Sequence, residues 1–255
     1  MGLEDEVKRY NRAKVSVDSG EIELWDGVIF PNMIRRREKE IILDFVASVN
    51  PRTILDFGCG GGWLSKVLSA KGYHIVGIDI STSLIKTATK VAPDSLGFLI
   101  GDCMKLPFRN STFDLIVGVG ILHHLDLDKA LAECHRVLKK NGSILFLEPN
   151  ALNPVMAVGR KLVRVDICTE GEKPFVPWHL KDKMIKAGFK IKSFEYLFPY
   201  SFALAYLSGK IRAETYQRFV QKMLPLIEGS EKLVESISLV RMIISSTIVV
   251  KGTKE

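Results

Sequence analysis

The segment Thr53–Trp63, TILDFGCGGGW, sets a short apolar run (Ile54, Leu55) against Asp56 and then Gly58, Gly60, Gly61 and Gly62 in close succession. The run has the length and composition of a buried parallel strand, and the glycines permit a turn that side chains would block. Beyond the turn, Leu64, Val67 and Leu68 recur at helical spacing, and Lys71-Gly72 supplies a stop. The pattern predicts a strand, a glycine turn and a helix, a unit that presents backbone N–H groups to a ligand at a helix N-terminus.

Two familiar ligand classes do not fit the turn. A dinucleotide fingerprint needs a sixth-position glycine, and counting from Gly58 that position is Trp63. A phosphate loop needs Gly-Lys-Ser/Thr, and Gly62-Trp63-Leu64 does not supply it. What remains is Asp56-x-Gly58-x-Gly60-x-Gly62, suited to a compact charged ligand lying over the backbone.

Upstream, Ile34, Ile41, Ile42, Phe45 and Val49 form one helical stripe that ends at Asn50-Pro51. Arg35, Arg36 and Arg37 flank it, either as a solvated face or as a contact for an anionic group. Residues 1–33 read as irregular, with Trp25, Phe30 and Pro31 near a Gly27 turn.

Downstream, the apolar run His74–Ile78 ends in Asp79, whose carboxylate can accept both hydroxyls of a ribose. Ser81 and Thr82 are available to cap the next helix, Leu84 to Val91, which stops at Pro93. A third strand, Gly97–Ile100, leads to Asp102-Cys103, where the carboxylate can accept from an adenine amino group. A fourth, Phe113–Val119, precedes Gly120-Ile121-Leu122-His123-His124. A helix over Leu127–Lys140, stopped by Asn141-Gly142, leads to a fifth strand, Ser143–Leu147, running into Glu148-Pro149-Asn150. Strands alternating with helices imply a parallel sheet with ligands at the carboxyl ends of its strands. Asp56, Asp79, Asp102, His123, His124 and Glu148 all fall at such ends.

With 255 residues the chain makes one large domain, or one domain with an appended lobe, and needs no staples. Cys59, Cys103, Cys134 and Cys168 are dispersed without a CxxC pair, so reduced thiols in a cytoplasmic protein are expected, with no metal site. The charged start MGLEDEVKRYNRAK predicts no signal peptide, and no run reaches the ~18 apolar residues of a spanning helix. Residues 151–255 hold 17 basic and 10 acidic side chains, which accounts for the chain's net +7. Such an excess suits nucleic acid, anionic lipid or an acidic substrate, or is a lysine-rich solvated surface.

In order, ILDFGCGGG, GIDIS, GDCMKLPF, FDLIVGVGILHHL and RVLKKNGSILFLEPN resemble successive motifs of the class I S-adenosylmethionine-dependent methyltransferases. Within that family the resemblance is to the small-molecule branch that includes the ubiquinone and menaquinone methyltransferases. It covers residues 52–150, and more loosely the helix from residue 34. It implies an α/β, Rossmann-like doubly wound sheet of seven strands, mostly parallel with one antiparallel strand, helices on both faces, and helical insertions forming a lid. The implied organisation is a helical lead-in over 1–50, a cofactor-binding core over 51–150, an insertion over 151–177, and completion of the sheet over 178–255.

The resemblance also implies S-adenosylmethionine as cofactor and S-adenosylhomocysteine as product. Asp56 opens the glycine motif, while Gly58, Gly60 and the backbone near Cys59 would line the methionine part. Asp79, followed by Ile80, would hold the ribose, and Asp102 with the Cys103 N–H would hold the adenine. Gly118 and Val119 would pass beneath the methionine ammonium and the sulfonium. Family members often carry a polar residue near Val119; Gly-Val-Gly here leaves the ammonium to backbone carbonyls. The last two strands are expected at Phe189–Tyr196 and Ser246–Lys251, with Leu197–Ser245 inserted between them. In that insertion Phe198, Tyr200, Phe202, Leu204, Tyr206 and Leu207 stand against Lys210 and Arg212, and residues 151–177 add Pro154 and Arg160-Lys161…Arg164. These could make a lipophilic substrate mouth, a peripheral membrane contact or ordinary core helices.

Methyl transfer from a sulfonium is an in-line displacement that needs a general base only if the acceptor must lose a proton. His124, Glu148 and His179 are the candidates, each with a structural alternative: sheet packing for His124, a turn cap for Glu148, a helix cap for His179. Three readings stand: a methyltransferase for a small acceptor, an RNA methyltransferase, and a non-catalytic scaffold. Glu148-Pro149-Asn150 departs from the Asn/Asp-Pro-Pro-aromatic motif of base-amino methyltransferases, which disfavours the second.

Overall fold

The computed structural model of the chain describes residues 29–90, 92, 96–154, 156–157, 173–198 and 214–255. The Trp25–Gly27 region, Val91, Pro93, the Arg160–Arg164 cluster, Cys168 and the Tyr200–Arg212 stretch lie outside the described residues.

Seven strands form one sheet: β1 Thr53–Phe57, β2 His74–Asp79, β3 Gly97–Ile100, β4 Phe113–Val119, β5 Leu138–Pro149, β6 Phe189–Leu197 and β7 Thr247–Lys254. Their order is β3-β2-β1-β4-β5-β7-β6, so the winding reverses between β1 and β4. The pairs from β3 through β5 are parallel, and β7 runs antiparallel to both β5 and β6. This is the expected seven-stranded architecture, and its switch point puts a crevice at the carboxyl ends of β1 and β4.

The central strands are apolar on both faces because helices cover both. Helices α1 Ile29–Val49 and α2 Trp63–Ser69 lie on one side, where Ile34, Ile42, Val46, Leu64 and Leu68 close over Ile54, Leu115, Val117 and Leu145. After α3 Thr82–Lys90, helices α4 Leu127–Val137 and α5 Pro177–Lys186 cover the other side, over Leu55, Phe57, Ile116, Ile144 and Phe146. Helices α6 Glu214–Glu235 and α7 Ser238–Ile244 precede β7. Among the described residues no helix is long and apolar enough to cross a membrane.

Four local expectations are revised. α1 begins at Ile29, taking Phe30 and Pro31 into its first turn where the sequence reads as irregular through residue 33. α4 ends at Val137, not Lys140: Leu138 is extended and pairs with Phe113, and the Lys254 ammonium donates to the carbonyls of His135 and Leu138. Asn141 does adopt a left-handed conformation (φ 61°), but within the irregular β4–β5 register between Phe113 and Leu115, not as a helix cap. The Arg35–Arg37 triplet is not merely a solvated face. The Arg36 guanidinium donates to the Glu228 carboxylate, and Arg37 pairs with buried Glu231 at 3.4 Å, tying α1 to α6.

Candidate active site

The turn after β1 is held from within. Gly58, Gly60 and Gly62 have φ of 74°, 52° and 77°, a region that favours residues without a Cβ. The amides of Gly58 and Cys59 both donate to the Ile78 carbonyl at 2.9 Å, binding the turn to β2. Asp56 is buried, and its Oδ2 accepts the Ser65 hydroxyl at 2.6 Å and the Ser65 amide at 3.1 Å, joining the end of β1 to the first turn of α2. Burial pushes the Asp56 carboxyl up to about 7, against the pull of the Ser65 hydrogen bonds.

The glycines serve different ends. A Cβ on Gly58 would stand 2.4 Å from Cγ1 of Ile121, so this glycine admits the Ile121 side chain. A Cβ on Gly60 would meet nothing nearer than Leu84 at 3.9 Å, so the face above Gly60 is open. The Gly60 amide points sideways and donates to Asp79 Oδ2 at 2.9 Å.

Asp79 thus bridges two strand ends, since its Oδ1 also accepts the Ser81 amide at 2.8 Å. Burial raises its pKa, opposed by the Ser81 and Gly60 amides and by charge on nearby His124. Ser81 caps α3, its hydroxyl accepting the Leu84 amide at 3.3 Å and its carbonyl the Ile85 amide at 3.1 Å. Capping therefore does not require Asp79. Half-buried Ile80 stands beside it, and beyond β3 the Asp102 Oδ1 accepts the Met104 amide at 2.7 Å, setting a turn above buried Cys103. Cys59, Cys103 and Cys134 are free and buried, and burial pushes each thiol up, which makes them packing groups and not nucleophiles.

On the other side of the crevice, Gly118 lies between Phe146 and Ile121, whose atoms would stand 2.7 and 2.9 Å from a Cβ there. Val119 is half-buried, and the Gly120 amide donates to the Leu147 carbonyl at 2.8 Å. A single 3-10 turn, Leu122–His124, follows. Glu148, 1% exposed, reaches across from β5 to that turn and accepts the amides of Ile121, Leu122 and His123 at 3.1, 2.8 and 3.3 Å. Its Oε2 also lies 2.8 Å from Nδ1 of His123, and the His123 and His124 rings meet at a tilt of 39° with centroids 3.9 Å apart.

The fold therefore gathers Gly60, Asp79 and His124 at one edge of the crevice and His123 with Glu148 at the next. His179 stands apart from these bonds. It is exposed on the first turn of α5, whose start is fixed near the end of β5 by the Phe175 amide donating to Pro149 (3.0 Å), and no side chain caps that helix. Sequence reasoning missed the Asp56–Ser65 bond and the engagement of His123 by Glu148. The signal was there: a carboxylate at the end of a wholly apolar strand must find donors, and the nearest are those of the neighbouring strand's loop.

Residues 55–146 match the methyltransferase domain family. A demethylmenaquinone methyltransferase of Thermotoga maritima is 38% identical over 117 residues, 45% of this chain and 49% of that one. A ubiquinone/menaquinone biosynthesis C-methyltransferase of Roseobacter denitrificans is 34% identical over 132 residues, 48% of this chain and 53% of that one. The chain thus spans about half the length of these curated relatives. The crystal structure of a SAM-dependent methyltransferase from Archaeoglobus fulgidus superposes with a TM-score of 0.58 at 18% identity, covering 86% of this chain and 94% of that one, a likeness of fold. The family match over residues 55–146, these relatives and the shared fold together support a class I S-adenosylmethionine-dependent methyltransferase.

Proposed function

We propose that this protein transfers a methyl group from S-adenosylmethionine to a small, lipophilic acceptor of the phenol or quinol class. The observation that carries the reading is the Asp79 carboxylate held on the Gly60 amide at 2.9 Å, beside an open glycine face at the switch point of the sheet. These residues fit the cofactor: a carboxylate for two ribose hydroxyls next to bare backbone for the methionine chain. Asp102 and the Cys103 N–H would hold the adenine, and the carbonyls of Gly118 and Val119 the ammonium. When bound, the cofactor supplies a methyl group on a cationic sulfur that leaves as a neutral thioether. The chain's task is to align the acceptor and exclude water. The acceptor class rests on the names of the quinone-pathway relatives and on the apolar composition of the 197–245 insertion, which we read as a lid.

Part of the basic charge of the C-terminal third is taken up within the chain, which weakens the case for RNA as acceptor. Lys183, Lys186, Lys190 and Lys251 pair with Asp128, Asp182, Glu255 and Glu195, and Lys254 is taken up by backbone carbonyls. The test is calorimetry with S-adenosylmethionine, S-adenosylhomocysteine and NAD, followed by tritiated methyl transfer to 1,4-naphthalenediol and to bulk tRNA. One-to-one binding of the two sulfur ligands, none of NAD, and label in the diol support the reading; label in the tRNA alone overturns the acceptor class.

A further inference from the structure

We infer that His123 is the general base that deprotonates the acceptor, and that Glu148 is its positioning residue. The inference rests on the methyltransferase reading and deepens it. Four groups converge on the two oxygens of Glu148, and three of them are backbone N–H groups that can only donate: Ile121 and Leu122 on Oε1, His123 on Oε2. The fourth is Nδ1 of His123, 2.8 Å from Oε2. A carboxylate serving as acceptor throughout satisfies the whole set, and it assigns the imidazole proton to Nδ1. Nε2 then carries a lone pair.

The ring has little freedom. Its side chain is 11% exposed, the His124 ring packs against it at 3.9 Å, and its backbone amide is fixed by the same carboxylate that holds its Nδ1. The ring also lies close to the backbone of Gly120. Among the described residues, and leaving aside its chain neighbours, a Cβ placed on Gly120 would meet Cε1 of His123 at 3.8 Å, the carbon between the two ring nitrogens. Gly120 directly follows Gly118-Val119, the strip expected beneath the sulfonium. Capping a 3-10 turn needs only the three amides; the bond to Nδ1 is additional, and its consequence is a fixed tautomer with a basic nitrogen beside the crevice.

In the step, the acceptor's hydroxyl proton passes to Nε2 as an oxygen, or the ring carbon conjugated to it, forms the new bond to the methyl carbon. The C–S electron pair returns to sulfur, and the positive charge lost there appears on His123, where Glu148 faces it. The proton then leaves to water, so charge and atoms balance without a further reactant.

The experiment uses the full chain with 15N-labelled histidine and two readouts. In the first, histidine NMR should show His123 protonated at Nδ1 and bare at Nε2, and Glu148→Gln should change that signature. In the second, His123→Ala should lower kcat for methylation of 1,4-naphthalenediol by about 100-fold or more, the scale of a general base. Calorimetric affinity for S-adenosylhomocysteine should stay within about 3-fold, and added imidazole should restore part of kcat, which a merely structural histidine would not allow. His123→Gln serves where the alanine variant does not fold, and Glu148→Asp should recover part of what Glu148→Gln loses. An Nε2–H tautomer, or wild-type kcat in His123→Ala, overturns the inference while leaving the methyltransferase reading intact. Failure of the wild-type chain to bind either sulfur ligand overturns that reading itself. If the chain binds both ligands but does not label the diol, the tautomer alone decides the inference.

Discussion

The Asp56 carboxylate and the Ser65 hydroxyl sit 2.6 Å apart, buried between the end of β1 and the start of α2. The glycine turn between them is thereby closed by a side-chain clasp on its protein side, while the face above Gly60 stays open. Because burial pushes Asp56 up to about 7, the folded chain holds a proton there that the unfolded chain has lost. The resulting stabilisation is complete below the unfolded pKa near 4 and disappears as pH rises through about 7. Asp56→Asn keeps an acceptor for Ser65 and removes the ionisation. Urea melts at a series of pH values should therefore show the variant gaining on wild type from about pH 4.5 to 8, by at most about 4 kcal/mol. A pH-independent difference would mean that Asp56 ionises as an ordinary carboxylate.

Gly58 and Gly60 separate packing from binding. Gly58→Ala places a Cβ 2.4 Å from Ile121 in a left-handed residue, so it should cost about 2–4 kcal/mol. Ile121→Ala in the same chain should relieve part of that cost, a coupling readable in a double-mutant cycle of urea melts. Gly60→Ala meets open space and should cost only about 1 kcal/mol for its φ. It should nonetheless weaken S-adenosylhomocysteine binding by about 10-fold or more, because the new methyl would occupy the ligand's face of the turn. Equal stability losses in the two variants would contradict the division of roles.

What the sequence could reveal was whatever repeats along the chain. The alternation of apolar runs with helical stripes is periodic, and the strand-end positions of Asp79, Asp102 and Glu148 follow from it. What it could not reveal was pairing across the chain. Nothing local to Leu138 says that it will leave α4 to pair with Phe113, since helical periodicity continues through it. Nothing local to His123 says that a glutamate 25 residues on will take its Nδ1. The strand-end position of Glu148 makes it a candidate base, but that position does not reveal that its carboxylate accepts three backbone amides and lies 2.8 Å from Nδ1 of His123.

At the amino end of the sheet, Asp114 holds β1 against β4. Its Oδ2 accepts the Arg52 amide at 3.1 Å and the Thr53 amide and hydroxyl at 2.9 Å, while Lys139 reaches Oδ1 at 2.8 Å. Burial opposes its charge, but the Lys139 and Thr53 hydrogen bonds outweigh this and lower the pKa. A depressed folded pKa contributes stability above the unfolded value that is lost as pH falls through the folded one. Asp114→Ala should therefore cost about 1–3 kcal/mol at pH 7 in urea melts and progressively less below about pH 4. Cofactor affinity should not change, since the clasp lies at the opposite end of the strands from the crevice.

Asp79 carries the ribose assignment and can be tested without knowing the acceptor. Asp79→Ala deletes both the acceptor of the Gly60 amide and the carboxylate proposed for the ribose hydroxyls, whereas Asp79→Asn retains one oxygen for the amide. Each charge-assisted hydrogen bond lost corresponds to about 1.5–3 kcal/mol, so S-adenosylhomocysteine should bind about 10- to 100-fold more weakly to Asp79→Ala. Asp79→Asn should fall between the variant and wild type if one oxygen still serves. Thermal melts must accompany the titrations, because losing the Gly60 bond alone loosens the turn. If Asp79→Asn keeps wild-type affinity while Asp79→Ala loses both affinity and stability, the carboxylate supports the loop and does not hold the ribose. If both variants bind as wild type, Asp79 has no part in the cofactor site.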